Sequence, residues 1–194
     1  RDGLMKRTSN RPIPSGKISK TNALLISLAL IVVGSAAIWI GSDFTGFQLG
    51  LLALIWYNGI YTPMKRKTAF AVIPGSVIGS IPPVVGWVAG GGDLFDIQVL
   101  VMAFFFFIWQ VPHFWLLMLK YGDEYVEAGY PSITQLYDEK HIRYLTFLWT
   151  FATAVTALMI PLFGLTSSVF VTIMILLAVF WLIFVFAGLL RGTA

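Results

Sequence analysis

Acidic side chains stand beside basic ones in the segments that flank the apolar stretches of this sequence. Asp123 and Glu127, four residues apart, would share one face of a helix about 6 Å from each other, where unpaired carboxylates repel. A magnesium ion would remove this repulsion, because it binds one or two carboxylates and completes its shell with water and phosphate oxygens. The alternative is that the acids form salt bridges with neighbouring bases. The candidate magnesium ligands are Asp2, Asp123, Glu124 and Glu127.

Basic side chains close to these acids suit the phosphates of a diphosphate. Arginine binds phosphate through a two-pronged fork, and lysine acts as a compact point charge. Both residue types occur in segments 6–11 and 65–67. These segments are therefore candidates for binding a phosphorylated ligand together with the metal.

Two pairs of polar side chains lie near the ends of long apolar stretches. Asn58 and Tyr61 are about one helical turn apart, and Gln110 and His113 have the same spacing in a later stretch. Polar side chains are costly in lipid and usually face a bundle interior or a cavity. We expect these four to lie on the same side of a membrane as the charged segments.

The composition indicates that these charged and polar groups belong to a membrane protein. Of the 194 residues, 58% are hydrophobic and only 11% are charged, against about 25% charged in soluble globular proteins. A water-soluble fold is therefore excluded. The absence of cysteine excludes disulfides and thiolate chemistry. No basic stretch alternates with aromatic residues, so no nucleic-acid partner is expected.

Six apolar stretches are long enough, at about 1.5 Å per residue, to cross a hydrocarbon core of about 30 Å. Pro74, Pro82 and Pro83 interrupt the third, which a membrane tolerates only where neighbouring helices satisfy the freed carbonyls. We therefore expect this stretch inside the bundle. The sequence predicts one all-α membrane domain over residues 1–194, with spans near 22–41, 47–63, 71–90, 97–119, 144–164 and 168–190.

The basic residues divide the connecting segments into two sets. All 13 lie before the first span or after the second, fourth or sixth, whereas segments 42–46, 90–96 and 165–167 contain none. By the positive-inside rule the basic segments face the cytoplasm, which predicts a multi-pass protein of the inner, cytoplasmic membrane. A transporter or channel is an alternative from another class, but it would need polar residues through to the outer side, where the spans are nearly all apolar.

Three ordered motifs resemble the haem O synthase (protohaem IX farnesyltransferase) family of the UbiA intramembrane prenyltransferase superfamily. The segment RDGLMKRTSNRPIPSG is similar to the stretch that begins with the last aspartate of the family's Asn-xxx-Asp-xxx-Asp motif. The segment YTPMKRKTAFAVIPGSVIGSIPPVVGW resembles its Tyr-Thr-xx-Lys-Arg-x-Thr loop and the Gly, Pro-Pro and Gly-Trp positions that follow. WQVPHFWLLMLKYGDEYVEAG resembles its Trp-Gln-x-Pro-His-Phe helix and acidic loop. The resemblance covers most of residues 2–131.

The resemblance implies an enzyme that ionises farnesyl diphosphate and attaches the farnesyl carbon to a vinyl group of haem b, giving haem O. It implies Mg²⁺ as cofactor, the lipid bilayer as surroundings and haem A synthase as a partner. Because the superfamily has about nine spans, it also implies that two helices before Arg1 and one after Ala194 are missing from this fragment. A prenyltransferase for a quinone precursor or another aromatic acceptor is the alternative within the superfamily.

The resemblance also assigns roles to individual residues. Asp2, Lys65 and His113 are the candidates for a catalytic role, with His113 on the haem side as an axial ligand or an orienting group. The acidic loop departs from the family pattern at Glu124, where the family commonly has aspartate, and at Ser132, where it commonly has methionine. The choice of magnesium ligand among Asp123, Glu124 and Glu127 therefore stays open. The candidates for diphosphate binding are Arg7, Arg11, Tyr61, Lys65 and Arg66. The candidates for lining the substrate cavity are Asn58, Trp109, Gln110 and His113.

Overall fold

The computed structural model of the chain describes residues 2–164 and 167–190, and within them it contains helices and turns but no strand. In chain order the helices are α1 (Lys20–Gly41), α2 (Phe44–Ile55), α3 (Thr62–Met64), α4 (Val72–Ala89), α5 (Ile97–Glu127), α6 (Glu139–Leu162) and α7 (Ser168–Leu190). Short 3-10 turns lie at Asp2–Leu4 and Ile133–Gln135, and a π-helical segment, Trp56–Tyr61, joins α2 to α3. The predicted all-α membrane bundle is confirmed.

Five helices in the described part of the chain are long and apolar enough to cross a membrane, namely α1, α4, α5, α6 and α7 as far as Leu189. The remaining predicted span, 47–63, falls on α2, the π segment and α3, which together cover residues 44–64 without a break. At about 1.5 Å per residue this continuous segment is about 30 Å long. It therefore also matches the thickness of a hydrocarbon core.

Helix α4 packs against both α2 and α5, as expected for a proline-containing span inside the bundle. Ser76 and Ile81 on this helix are buried, and Pro82 and Pro83 lie within it without ending it. In α1, by contrast, no residue is buried. The main buried cluster lies where α5 and α6 meet the start of α4, around the Trp115 side chain.

Asp123, Glu124 and Glu127 belong to the end of α5, so the segment described from the sequence as an acidic loop is helical. The span was predicted to end near residue 119, but α5 continues to Glu127. Hydropathy marks only the part of a helix in lipid, whereas this end of α5 is held by packing against the segments beside it. Gly129, with φ of +75°, then reverses the chain, and the Tyr130 N–H donates to the Tyr125 carbonyl at 2.8 Å.

Candidate active site

Two cavities adjoin at the end of the bundle that carries the basic segments. The first, called here the polar cavity, has a volume of about 210 Å³ and lies between the N-terminal segment, the π segment and the end of α5. The second, the inner cavity, has a volume of about 330 Å³ and lies between the π segment, α4 and α5. Tyr57, Tyr61 and Phe114 line both cavities. An occupant of one would therefore meet an occupant of the other across these three rings.

The polar cavity carries more positive than negative charge. Arg11 Nη1 donates to Asp2 Oδ2 at 3.1 Å, but both side chains are about half exposed, so solvent screens this pair. Arg7 Nη2 donates to the Tyr125 hydroxyl at 3.4 Å, and its guanidinium lies 5.6 Å from the centroid of the Tyr121 ring. Such a pocket attracts an anion. Its charged lining residues are Asp2, Arg7, Arg11 and Lys65.

Lys65 is held between two aromatic rings at the edge of the polar cavity. Its Nζ lies 5.9 Å from the centroid of Tyr61 and 5.8 Å from that of Tyr130. Partial burial lowers the pKa of Lys65, two nearby guanidinium groups lower it further, and the Asp2 carboxylate acts in the opposite direction. An anionic ligand in the cavity would add to the effect of Asp2 and stabilise the charged form of this ammonium group.

The N-terminal segment folds against α5 and thereby brings its charged residues to the cavity. Thr8, only 1% exposed, donates its hydroxyl to the Asp2 carbonyl at 2.7 Å. The Arg7 N–H makes a long hydrogen bond of 3.5 Å to the Glu124 carboxylate. Met5, 4% exposed, packs against the chain just after α5. These contacts hold the N-terminal segment beside the cavity.

The inner cavity is mostly apolar and aromatic, and His113 and Gln110 lie on its wall. The imidazole of His113 stacks on Trp109, with ring centroids 5.4 Å apart and an interplanar angle of 10°. Trp109 itself borders a different, apolar cavity of about 310 Å³ between α5, α6 and α7. Its contact with the inner cavity is therefore through the stacked imidazole.

The π-helical segment places the two tyrosines that separate the cavities. The rings of Tyr57 and Tyr61 lie 5.4 Å apart, and the Trp56 Nε1–H donates to the Pro74 carbonyl of α4 at 2.7 Å. π-Helical turns inside α-helices are rare and often occur at functional sites. Asn58, predicted to line the cavity, is exposed on this segment and donates its amide to the Leu54 carbonyl at 2.9 Å.

The predicted phosphate-binding residues lie around the polar cavity and one neighbouring cleft. Arg7, Arg11, Tyr61 and Lys65 line the polar cavity itself. Arg66 lines a more open cleft of about 680 Å³ whose wall also includes Asp2 and Lys65. The two spaces thus share Asp2 and Lys65 in their walls.

The four acids predicted to bind magnesium are not gathered into one site. Among residues 2–164 and 167–190, no three His, Asp or Glu side chains lie close enough together to hold a metal ion. Asp2 lines the polar cavity, whereas Asp123 and Glu127 are exposed on the last turns of α5. One carboxylate suffices for Mg²⁺ when phosphate oxygens and water complete its shell. Asp2 therefore fits such an ion, and the part of the other three acids, including Glu124, stays a prediction.

Several lining residues were not predicted from the sequence. Tyr57, Phe114, Tyr125 and Tyr130 contribute rings to the polar cavity. Tyr57 carries a signal that could have been used, because it stands four residues before Tyr61 on the same helical face. Phe114 and Tyr125 lie on α5 and Tyr130 on the turn that follows it, and only packing brings these rings to the cavity.

The helices and cavities together define a multi-pass membrane protein with an anion-attracting cavity next to an apolar one. The UbiA prenyltransferase family model matches residues 1–193, and the chain belongs to that family. It is 40% identical over 170 residues to a protoheme IX farnesyltransferase of Geobacter sulfurreducens, covering 86% of this chain and 61% of that protein. It is 38% identical over 184 residues to the protein of that name in Nitratidesulfovibrio vulgaris strain DP4, covering 94% and 64%.

A third relative, the protoheme IX farnesyltransferase of Paracoccus denitrificans, is 34% identical over 172 residues, covering 86% of this chain and 53% of that protein. The chain thus spans about 60% of the length of the first two curated relatives. No solved structure matches the chain significantly.

Proposed function

We propose that the full-length protein transfers the farnesyl group of farnesyl diphosphate to a vinyl group of haem b and so forms haem O. Membership of the UbiA prenyltransferase family and similarity to proteins named protoheme IX farnesyltransferase support this proposal. The observation that carries it is that Tyr57, Tyr61 and Phe114 line both cavities. A diphosphate in the polar cavity would have its reactive carbon at the border of the inner one.

The barrier of this reaction is charge separation at an allylic carbon. The bond between farnesyl carbon 1 and the diphosphate oxygen breaks, the electron pair leaves with the diphosphate, and an allylic cation remains. The haem vinyl group gives its π electrons to that carbon. Water then captures the new cation next to the porphyrin and loses a proton. Farnesyl diphosphate, haem b and water are thereby converted to haem O, diphosphate and a proton.

Arg7, Arg11 and Lys65 would stabilise the leaving diphosphate. Fixed charged donors aimed at developing charge lower the barrier without needing to reorient during the reaction. The arginines can bind phosphate oxygens in pairs, and Lys65 adds a point charge. Arg66, at the adjoining cleft, would meet the phosphate farther from the farnesyl carbon.

The aromatic border between the cavities would protect the cation. The faces of Tyr57, Tyr61 and Phe114 offer negative π density, to which a cation is attracted. Their bulk also excludes water that would capture the cation too early. The largely apolar wall of the inner cavity suits both a farnesyl chain and a porphyrin edge.

Asp2 is the residue we propose to hold Mg²⁺ at the polar cavity, together with the diphosphate oxygens. When bound, this ion would supply positive charge to the leaving group. Asp123, Glu124 and Glu127 are proposed as further or alternative ligands. The pairing of Asp2 with Arg11 would then open, so that each side chain contacts the diphosphate or its metal.

His113 is proposed to act on the haem side of the inner cavity, as an axial ligand or an orienting group. Stacking on Trp109 restricts the imidazole ring, and Gln110 adds an amide to the same wall. Such pre-organisation reduces the freedom that would be lost when the acceptor binds.

The proposal also covers where the protein works. The five apolar helices and the family make it a multi-pass membrane protein. We propose the inner membrane, with the basic segments and the polar cavity on the cytoplasmic side. Haem A synthase is proposed as the partner that receives haem O.

The test is an assay of the full-length protein in lipid with farnesyl diphosphate, Mg²⁺ and either haem b or a quinone precursor. Mass spectrometry of the extracted products should show the mass of haem O. Prenylation of the quinone precursor but not of haem b would overturn the choice of acceptor. Flux of a charged solute in liposomes without any prenylated product would indicate a transporter instead.

A further inference from the structure

Two glycines on α4, Gly75 and Gly79, form part of the wall of the inner cavity and lie one helical turn apart. A Cβ placed at Gly75 would lie 2.7 Å from both Cδ2 and Cε2 of Tyr61. A Cβ placed at Gly79 would lie 2.9 Å from Oε1 and 3.4 Å from Cδ of Gln110. These separations are shorter than ordinary van der Waals contact. Tyr61 and Gln110 therefore occupy the space that a side chain at position 75 or 79 would need.

The Tyr61 ring lines both cavities, so any shift of this ring away from α4 changes the border between them. Its other neighbours include the Tyr57 ring, tilted by 48° with its centroid 5.4 Å away, and the Lys65 ammonium group. The hydrogen bond from Trp56 to the Pro74 carbonyl ties the same π segment to α4, one residue before Gly75. A methyl group at Gly75 would therefore push a rigid ring along the border between the two cavities.

Gln110 differs from Tyr61 because its amide is the far end of a flexible side chain. A methyl group at Gly79 would turn that amide away at small cost to folding. The change would remove the amide from its place in the inner cavity, near His113, without disturbing the helices.

We propose that Gly75 and Gly79 are positioning residues of the active site. Gly75 sets the Tyr61 ring at the border where the farnesyl carbon would react, and Gly79 sets the Gln110 amide against the acceptor. This inference rests on the proposed function, because it names the residues through which the two glycines act on the two substrates.

The test compares Gly75→Ala and Gly79→Ala with Gly86→Ala in the full-length protein. Gly86 lies on the same helix, and a Cβ there meets no atom within 4 Å, so it controls for the shared gain in helix propensity. Displacement of a positioned group by about 1 Å can cost about a hundredfold in rate. We expect kcat to fall about tenfold to a hundredfold in Gly75→Ala and to stay within about twofold of wild type in Gly86→Ala.

Gly79→Ala should raise KM for haem b several-fold while leaving KM for farnesyl diphosphate and the melting temperature unchanged. In a Gln110→Ala background, the further change Gly79→Ala should have no effect, because the side chain through which it acts is gone. An additional loss in that background would overturn the assignment of Gly79. Equal kinetics of Gly75→Ala and Gly86→Ala, or a Gly75→Ala variant altered only in yield and melting temperature, would overturn the assignment of Gly75.

Haem prenylation by the wild-type protein distinguishes failure of this inference from failure of the proposed function. If wild type forms no prenylated haem, the proposed function fails first. In that case the binding of farnesyl diphosphate by Gly75→Ala and Gly86→Ala, measured by calorimetry, still tests the Gly75 contact. Equal affinities of these two variants would then overturn it.

Discussion

Replacing Lys65 with glutamine should lower kcat/KM for farnesyl diphosphate more than any other single loss of charge in segment 65–67. A hydrogen bond to a charged group contributes about 1.5–3 kcal/mol. Because Lys65 is only half-buried, we expect the lower part of that range, about 1.5–2 kcal/mol. At about 1.4 kcal/mol per factor of ten, kcat/KM for farnesyl diphosphate should fall about 10-fold to 30-fold.

The pH dependence of binding gives a second measurement on the same residue. Only the protonated ammonium attracts diphosphate, and burial lowers the pKa of Lys65 from its ordinary 10.5. Bound diphosphate would raise that pKa again. The affinity of wild type should therefore be constant below the pKa of the free protein and fall as the pH rises through it. A Lys65→Arg variant, which stays charged, should keep its affinity to higher pH.

Lys67→Gln is the matched control, because it removes one charge from the same segment at an exposed position. Steady-state kinetics of both variants, together with calorimetric titration of farnesyl diphosphate between pH 7 and pH 10, would measure these effects. Equal losses in Lys65→Gln and Lys67→Gln would mean that only the overall charge of the segment matters. That result would refute a specific contact between Lys65 and the diphosphate.

Three further changes test other parts of the site. Asp2→Asn should raise the Mg²⁺ concentration needed for half-maximal activity by about tenfold or more, whereas Asp123→Asn, on an exposed turn, should change it less. His113→Ala should lower haem O formation while leaving the affinity for farnesyl diphosphate within about twofold. Trp56→Phe should lower the melting temperature in detergent, because it removes a partly buried hydrogen bond that contributes about 0.5–1.5 kcal/mol.

Each of these changes has an outcome that would contradict the reasoning. A larger effect of Asp123→Asn than of Asp2→Asn would indicate that the metal binds at the end of α5. Wild-type turnover by His113→Ala would remove the imidazole from the haem side. An unchanged melting temperature in Trp56→Phe would show that the indole contact does not hold the π segment on α4.

The helical spans could be predicted because each depends on a local run of apolar residues. Which residues lie on the same side of the membrane was partly predictable, since His113 and Lys65 both lie near the cytoplasmic ends of their predicted spans. The extension of α5 to Glu127 was not, because hydropathy falls where a helix leaves lipid even when packing continues it. The exposed position of Asn58 on the π segment also differs from the expectation, because a polar side chain within a span was expected to face a cavity.

The place of Gly75 also could not be predicted from spacing. In the sequence it reads as a small residue that permits helix packing. Only the distance from its position to the Tyr61 ring shows that it borders a cavity. The candidate metal ligands illustrate the same limit, because the number of acids in a segment says nothing about which of them face the phosphate.

We propose that the diphosphate lies in the polar cavity with the reactive farnesyl carbon at the border of the inner cavity. An experimental structure of the full-length protein with a non-ionising thiodiphosphate analogue of farnesyl diphosphate would test this directly. We predict phosphate oxygens within hydrogen-bonding distance of Arg7, Arg11 and Lys65, with carbon 1 of the farnesyl chain next to Tyr61. A diphosphate bound at the opposite end of the helices would show that the polar cavity is not the diphosphate site.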